Sequence, residues 1–475
     1  MSFSSKSLGS KTISRRGFLR FGAAGVASLA TSNALAQPAP SFQLADLRGT
    51  LNASTHSVRP HKTRDQTGAL QQALERTARE GKVLFLPAGT YKVGRLTLPS
   101  GCCLVGVPGR TRLVFTGDET LIVARDARHV QLQDLELDGG KRPISEQFRG
   151  LLDLTQVTDL TLRGLTVRGS TASAVALEAC GGTVSGCTLS GAADAGLMSM
   201  NASGLTILNN AVHDCANGGI LVHRWSKGAD GTHIRGNRIE RIAARDGGTG
   251  QNGNGVNVFK ADNVIVADNS ISDCAFTAIR GNSASNLQIR GNTCLRSGEV
   301  AIFSEFAFEG ALITGNIVDG AAVGISITNM DHGGRLSVCS GNIIRNLVNK
   351  APYAPEGLAF GIGIQAEADT SVTGNVIENA ETIGMVVGWG PYLRNVIASQ
   401  NVIRQTPIGM AVSVAQGAGT AMITQNLFEN TKDGAIVAHK WATPVSGDLT
   451  ESGAEQWPRL TLRDNQRINA PAVPI

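Results

Sequence analysis

Asn316-Ile317-Val318-Asp319, followed after four residues by Gly324-Ile325-Ser326-Ile327, is the stretch on which the fold turns. Two short apolar runs, one opened by Asn and one by Gly, are too close together for a helix between them. The same unit recurs in both directions along the chain. Its Asn falls at 210, 237, 269, 292, 316, 342, 375, 401 and 426, at spacings of 27, 32, 23, 24, 26, 33, 26 and 25 residues. The Gly-led run recurs as Gly219-Ile-Leu-Val, Gly255-Val-Asn-Val, Gly384-Met-Val-Val and Gly409-Met-Ala-Val. A unit of roughly 23–26 residues with three short strands and one Asn turn predicts a right-handed, single-stranded parallel β-helix. A leucine-rich repeat has a similar period, but the fixed Leu spacing it requires is missing.

The recurring Asn predicts a structural column. Asn tolerates the left-handed backbone of a tight turn, and stacked amides can bond one another from coil to coil. In the Gly-led strand alternate residues face opposite ways. With Ile220, Val256 and Ile325 pointing inward, the outward pairs on successive coils are Leu221/His223, Asn257/Phe259, Arg280/Asn282, Phe303/Glu305, Ser326/Thr328 and Gln365/Glu367. This polar stripe lies between the two long intervals, which hold insertions at about 242–254 and 349–360. Long loops on a rigid solenoid commonly build a binding groove.

The stripe supplies the candidate chemistry. Arg280, Glu305, Glu367, Lys260, Asp331 and His332 are the candidate catalytic residues, and Asn257, Phe259, Asn282, Phe303, Gln365, His223 and Trp225 the candidate substrate contacts. Glu305 and Glu367 lie two coils apart, about 9.6 Å between backbones. Carboxylates separated by roughly 6.5–9.5 Å suit an inverting glycosidase. Alternatively, Arg280 or Lys260 neutralises a uronate carboxylate while His332 or a lysine removes the C5 proton, which is lyase or epimerase chemistry. Arg280 and Glu305 also read as a surface ion pair worth under about 1 kcal/mol, and Asp331-His332 before Gly333-Gly334 as a turn. As outward-facing residues, Arg280, Glu305 and Glu367 are expected to contribute only about 0.5 kcal/mol to stability, and Ser326→Asp to be tolerated.

Before the repeats, residues 69–80 place Leu70, Ala73, Leu74 and Ala78 at helical spacing, with Asp65 or Thr67 as N-cap and Gly81 as the stop. Val83-Leu84-Phe85-Leu86-Pro87-Ala88-Gly89-Thr90-Tyr91 follows. This order resembles the N-terminal cap of pectate-lyase-like β-helices, in which a short amphipathic helix covers the open end of the solenoid. The resemblance implies polysaccharide chemistry. It transfers no catalytic residue, because the Gly-His-Gly and paired-Asp motifs of polygalacturonases and the Asp-Pro-His-Asp motif of mannuronan epimerases are absent.

Residues 1–36 hold Lys6, Lys11, Arg15, Arg16 and Arg20 and no acid; without them, 38 basic residues balance 38 acidic ones. The net charge of +5 therefore belongs to the leader, and no basic surface for nucleic acid is expected. Ser14-Arg15-Arg16-Gly17-Phe18-Leu19-Arg20, an apolar stretch and Ala34-Leu35-Ala36 resemble a twin-arginine export signal, with Arg15 and Arg16 as its signal residues. Leader and repeats together resemble a family of twin-arginine-exported proteobacterial repeat proteins. The resemblance implies passage through the twin-arginine translocase to the periplasm, already folded.

No apolar run reaches the roughly 18–20 residues of a membrane span, so no stable membrane insertion is expected. Gly at 57 of 475 with only 15 Pro excludes collagen. The eight Cys show no CxxC or Cys/His metal spacing and read as small buried residues. No cofactor is identified; Asp and Glu on neighbouring coils could hold Ca²⁺, but no spacing demands it.

The expected organisation is a signal peptide at 1–36, a loosely structured lead-in at 37–64, a cap and first strands at 65–120, coils at 121–439, and a C-terminal loop with closing coil at 440–475. The expected function is an exported glycoside hydrolase or uronan lyase acting on a polysaccharide or oligosaccharide. The alternative is a non-catalytic carbohydrate-binding or envelope scaffold.

Overall fold

The computed structural model describes residues 49–248 and 250–468. The leader, with Arg15 and Arg16, lies outside them. The described chain is an all-β, right-handed parallel solenoid, as its period requires. Its strands stack into three long sheets of 16, 15 and 15 strands, each coil giving one strand to each sheet. Pairing is parallel, except that Thr443–Asp448 folds back antiparallel on Gly434–Lys440 and covers the last edge of its sheet.

The core is a set of columns. Ile220, Val256, Ile279, Ile302, Ile325, Ile364 and Met385 stand in direct register on successive coils and are fully buried. Regular in–out alternation sends one such column inward from each strand.

The Asn column is a hydrogen-bonded ladder. From Asn210 to Asn426 each buried amide nitrogen donates to the Oδ1 of the next Asn at 2.9–3.0 Å, ending on Asn465. The same Oδ1 accepts the backbone N–H of the preceding Asn. The second amide proton goes to a strand carbonyl of an earlier coil, as from Asn316 to Ile289. Every polar atom of the buried side chain is thus used. The expected left-handed backbone falls one residue earlier, on Asn209, Asp268, Gln400, Gln425, Asp464 and five glycines, at φ 54–65°. The ladder Asn are there for their amides, and the turn is made by their neighbours.

At the N-terminal end, Thr67–Arg79 is the capping helix, with Leu70, Ala73, Leu74 and Thr77 buried, the last in place of the expected Ala78. The N-cap is Gln66, without a side-chain cap bond, in place of the expected Asp65 or Thr67; Asp65, one residue earlier, accepts the Thr67 N–H at 2.8 Å. Part of the expected lead-in is ordered: Thr50–Asn52 is a strand paired in parallel with Val83–Phe85. It supplies partners for backbone groups at a sheet edge that would otherwise be open. Among the described residues no helix is long and apolar enough to cross a membrane.

Candidate functional site

The outward stripe has the expected register. Asn257 pairs with Arg280, Arg280 with Phe303, Phe303 with Ser326, and Ser326 with Gln365. Its burial departs from expectation. The 349–360 insertion lays Leu358 and Phe360 over this face, where they pack with Phe303, Val300, Val323, Ile362, Ile383 and Val386. An outer apolar layer thus covers what alternation alone would leave to solvent, and Ser326 beneath it is buried. The expected tolerance of Ser326→Asp does not hold, because an aspartate there would bury a charge.

Arg280 and Glu305 are buried as well. Their side chains are 11% and 4% exposed, with Nη2 2.5 Å from Oε1. Oε1 also accepts from Arg280 Nε at 2.6 Å and from Asn282 Nδ2 at 2.8 Å. Burial pushes the Glu305 carboxyl up, and the Arg280 charge draws it back. At Gly250 (φ 141°), on the 242–254 insertion, any Cβ would overlap the Arg280 guanidinium, so only glycine lets this loop close there. Arg280 and Glu305 are therefore not an exposed pair worth little. Glu305→Ala leaves the guanidinium buried and uncompensated, and we expect a loss of roughly 3–5 kcal/mol, seen as a lower urea midpoint.

Glu367 stands apart from that pair. Its Oε2 accepts the Met330 N–H at 2.8 Å, and it lines a cavity of about 330 Å³ with Gln365, Thr328, Tyr353, Glu356 and Trp389. Burial raises its carboxyl to about 7, and the negative charge of Asp331 adds to the shift. Asp331 and His332 sit on the short turn Met330–His332 that grips Glu367, with Nδ1 and Oδ2 3.0 Å apart. The turn reading of this pair is what the structure shows, and the His332 ring packs edge-on against Phe306.

The remaining candidates lie elsewhere on the face. The His223 ring meets Phe259 edge-on at 5.7 Å, and Lys260 Nζ sits 4.8 Å from the Phe259 ring centroid. Burial lowers His223 to about 4. Phe259 is four ladder steps from Glu367, about 19 Å. Trp225 is further still; its Nε1 donates to Glu178 at 3.4 Å and Arg149 covers its ring. Asn257 is buried beside Arg280, with its Oδ1 unpaired. Only Glu367 and Gln365 of the candidates line the cavity.

Sequence reasoning missed Tyr353, Glu356 and Glu299. The Tyr353 hydroxyl donates to the buried Glu299, which also accepts from Thr277 at 2.9 Å. This bond pins the insertion to the coil below. Glu299 lies in the turn before its strand, where alternation assigns no direction. Tyr353 and Glu356 lie in a loop without periodicity. The insertion's length was the signal for both. Among the described residues no cluster of three or more His, Cys, Asp or Glu is arranged for a metal. The cysteines are all free, and all but half-buried Cys103 are buried.

A family model described as a right-handed beta helix region matches residues 115–250 and 227–333. No curated protein sequence matches the chain. Among solved structures, the chain is similar to the N-terminal fragment of gene product 12 of bacteriophage Phi29, at 14% identity and a TM-score of 0.54 over 84% of this chain and 73% of that one. It is also similar to the tailspike protein of E. coli bacteriophage HK620, at 12% identity and a TM-score of 0.54 over 88% and 78%. ORF18 of Geobacillus virus E2 is similar at 14% identity and a TM-score of 0.47, over 58% of each chain, so this chain spans just over half of that relative. At these identities the likeness carries the fold alone.

Proposed function

We propose that the protein is a glycan-cleaving enzyme of the glycoside hydrolase type, with Glu367 as its general acid. The observation that carries the reading is a buried carboxyl, raised to about 7, that opens into a cavity walled by Tyr353, Phe360 and Trp389. A carboxyl that holds its proton near neutrality is what protonation of a leaving glycosidic oxygen requires. In the step proposed, the Glu367 proton passes to that oxygen as the bond to the anomeric carbon breaks. Water adds to the anomeric carbon and gives its proton to a second carboxylate. Glu356, carried on the insertion, is the second acid lining the same cavity.

Glu305, paired by sequence reasoning with Glu367, is held by Arg280 and Asn282 and serves the architecture. A binding-only scaffold would share the cavity but leave a protonated buried carboxyl without a task. Export to the periplasm by the twin-arginine route is part of the proposal and rests on the Arg15-Arg16 leader alone.

The test is a screen of the protein lacking its leader against plant and bacterial glycans, reading both reducing ends and unsaturated-product absorbance. The reading expects new reducing ends without unsaturated product. Unsaturated product would replace hydrolysis by elimination. Binding without any turnover would leave the scaffold.

A further inference from the structure

We infer that the sugar held against Glu367 is uncharged and stacks on Trp389, so that the substrate is a neutral glycan and not a uronan. The inference rests on the glycosidase reading of the same cavity and narrows its substrate class.

The first ground is the charge of the walls. Among the described residues lining the cavity, two are acidic, Glu356 and Glu367, and none is Lys or Arg. A uronate carboxylate would enter with no cation to meet it, in a site where burial strengthens every charge interaction. Basic groups along the face are committed elsewhere. Arg280 is sealed against Glu305, Lys227 donates to the Ala307 carbonyl, and His332 pairs with Asp331. Lys260 lies over the Phe259 ring, about 19 Å away by ladder steps. Elimination or epimerisation at a uronate also needs positive charge at the sugar carboxylate to stabilise the carbanion, and these walls supply none.

The second ground is shape. Gly388 is the next-coil neighbour of Glu367 in the outward column, as the pairing of Gln365 with Val386 and Ala366 with Val387 sets it. It is left-handed at φ 77°, and a Cβ there would run into Leu393 at 2.5 Å, so glycine makes the turn that brings Trp389 in as a wall of the cavity. The indole is held from two sides. Trp441 meets it edge-on, with ring centroids 5.4 Å apart and planes at 80°. Gly357 of the insertion lies so close that a Cβ there would come within 2.9 Å of the ring. A rigid aromatic face one ladder step from the acid suits the C–H face of a pyranose, which is apolar only where the ring carries no charge. The polar edge of such a sugar finds Gln365, Thr328 and Asn329 in the same lining.

The test uses polygalacturonate and alginate, each beside the same polymer after carboxyl reduction, together with dextran, laminarin and xylan. Tryptophan fluorescence and calorimetry read affinity, and reducing ends read turnover. The expected result is that one or more neutral or carboxyl-reduced polymers bind, and that each unreduced uronan binds at least about tenfold more weakly than its reduced form. Trp389→Ala should weaken binding of the neutral ligand by roughly tenfold, while Trp389→Phe, which keeps a ring, stays within a few-fold. A urea midpoint for both variants close to the parent's shows that the change is local. A uronan bound as tightly as its reduced form, or parent affinity in Trp389→Ala, overturns the inference. A uronan cleaved hydrolytically, with turnover lost in Glu367→Gln, overturns it while the glycosidase reading stands. Failure of every polymer to bind overturns both.

Discussion

Glu367→Gln lowers turnover of the glycan that the screen selects by about 10²–10⁴-fold, the range for loss of a positioned general acid, while affinity stays within a few-fold of the parent's. The substitution is mild for the fold. The glutamine oxygen still accepts the Met330 N–H, and no countercharge is left stranded, because among the described residues no cationic side chain pairs with Glu367. A proton donor matters in the transition state and little in ground-state binding, so kcat falls and KM does not rise. The same group sets a pH dependence. Its folded value near 7 lies above the ordinary 4.5, so the acid form, and with it activity, is lost as pH rises through about 7. The stability contributed by this group follows the same sign: it is full below about pH 4.5 and lost between there and about 7. Equal loss of affinity and turnover in Glu367→Gln would make the residue a binding group.

Ile325→Asp prevents a stable solenoid, or destabilises it by more than about 4 kcal/mol. Ile325 is fully buried between Ile302 and Ile364 in the same column. An aspartate there loses the apolar contacts of both neighbours and places a carboxyl where no donor waits. Far-UV circular dichroism and protease resistance read the outcome. Ile325→Val, which keeps the column apolar, is the control and should cost about 0.5–1.5 kcal/mol. A folded Ile325→Asp protein with parent protease resistance would mean that the column is not the core.

The solenoid was legible because its physics is local and repeated. One Asn per coil from Asn210 onward, inward apolar columns on every strand and a recurrent Gly opening the strand that follows are all written in linear order. The register of the outward stripe followed from the same alternation, down to Asn257 opposite Arg280 and Gln365 opposite Ser326. What alternation does not encode is cover. Whether an outward residue meets water depends on a loop from another coil, and Leu358 and Phe360 pack with Phe303 over this face with no periodic signal of their own. For that reason Arg280 and Glu305 read as an exposed pair in sequence and are a sealed one in the structure. The 349–360 insertion was visible as excess length, but not the side chains with which it would grip. Its Tyr353 finds Glu299 and its Gly357 lies against Trp389. Pairing of this kind is tertiary and has no spacing rule.

The pH profile of kcat/KM decides whether Glu367 is the protonated acid of a glycan-cleaving cavity. On the glycan selected by the screen, we expect a falling limb with a midpoint near 7 in the parent protein, and loss of turnover together with that limb in Glu367→Gln. A profile flat through pH 7, or parent turnover in Glu367→Gln, would contradict it.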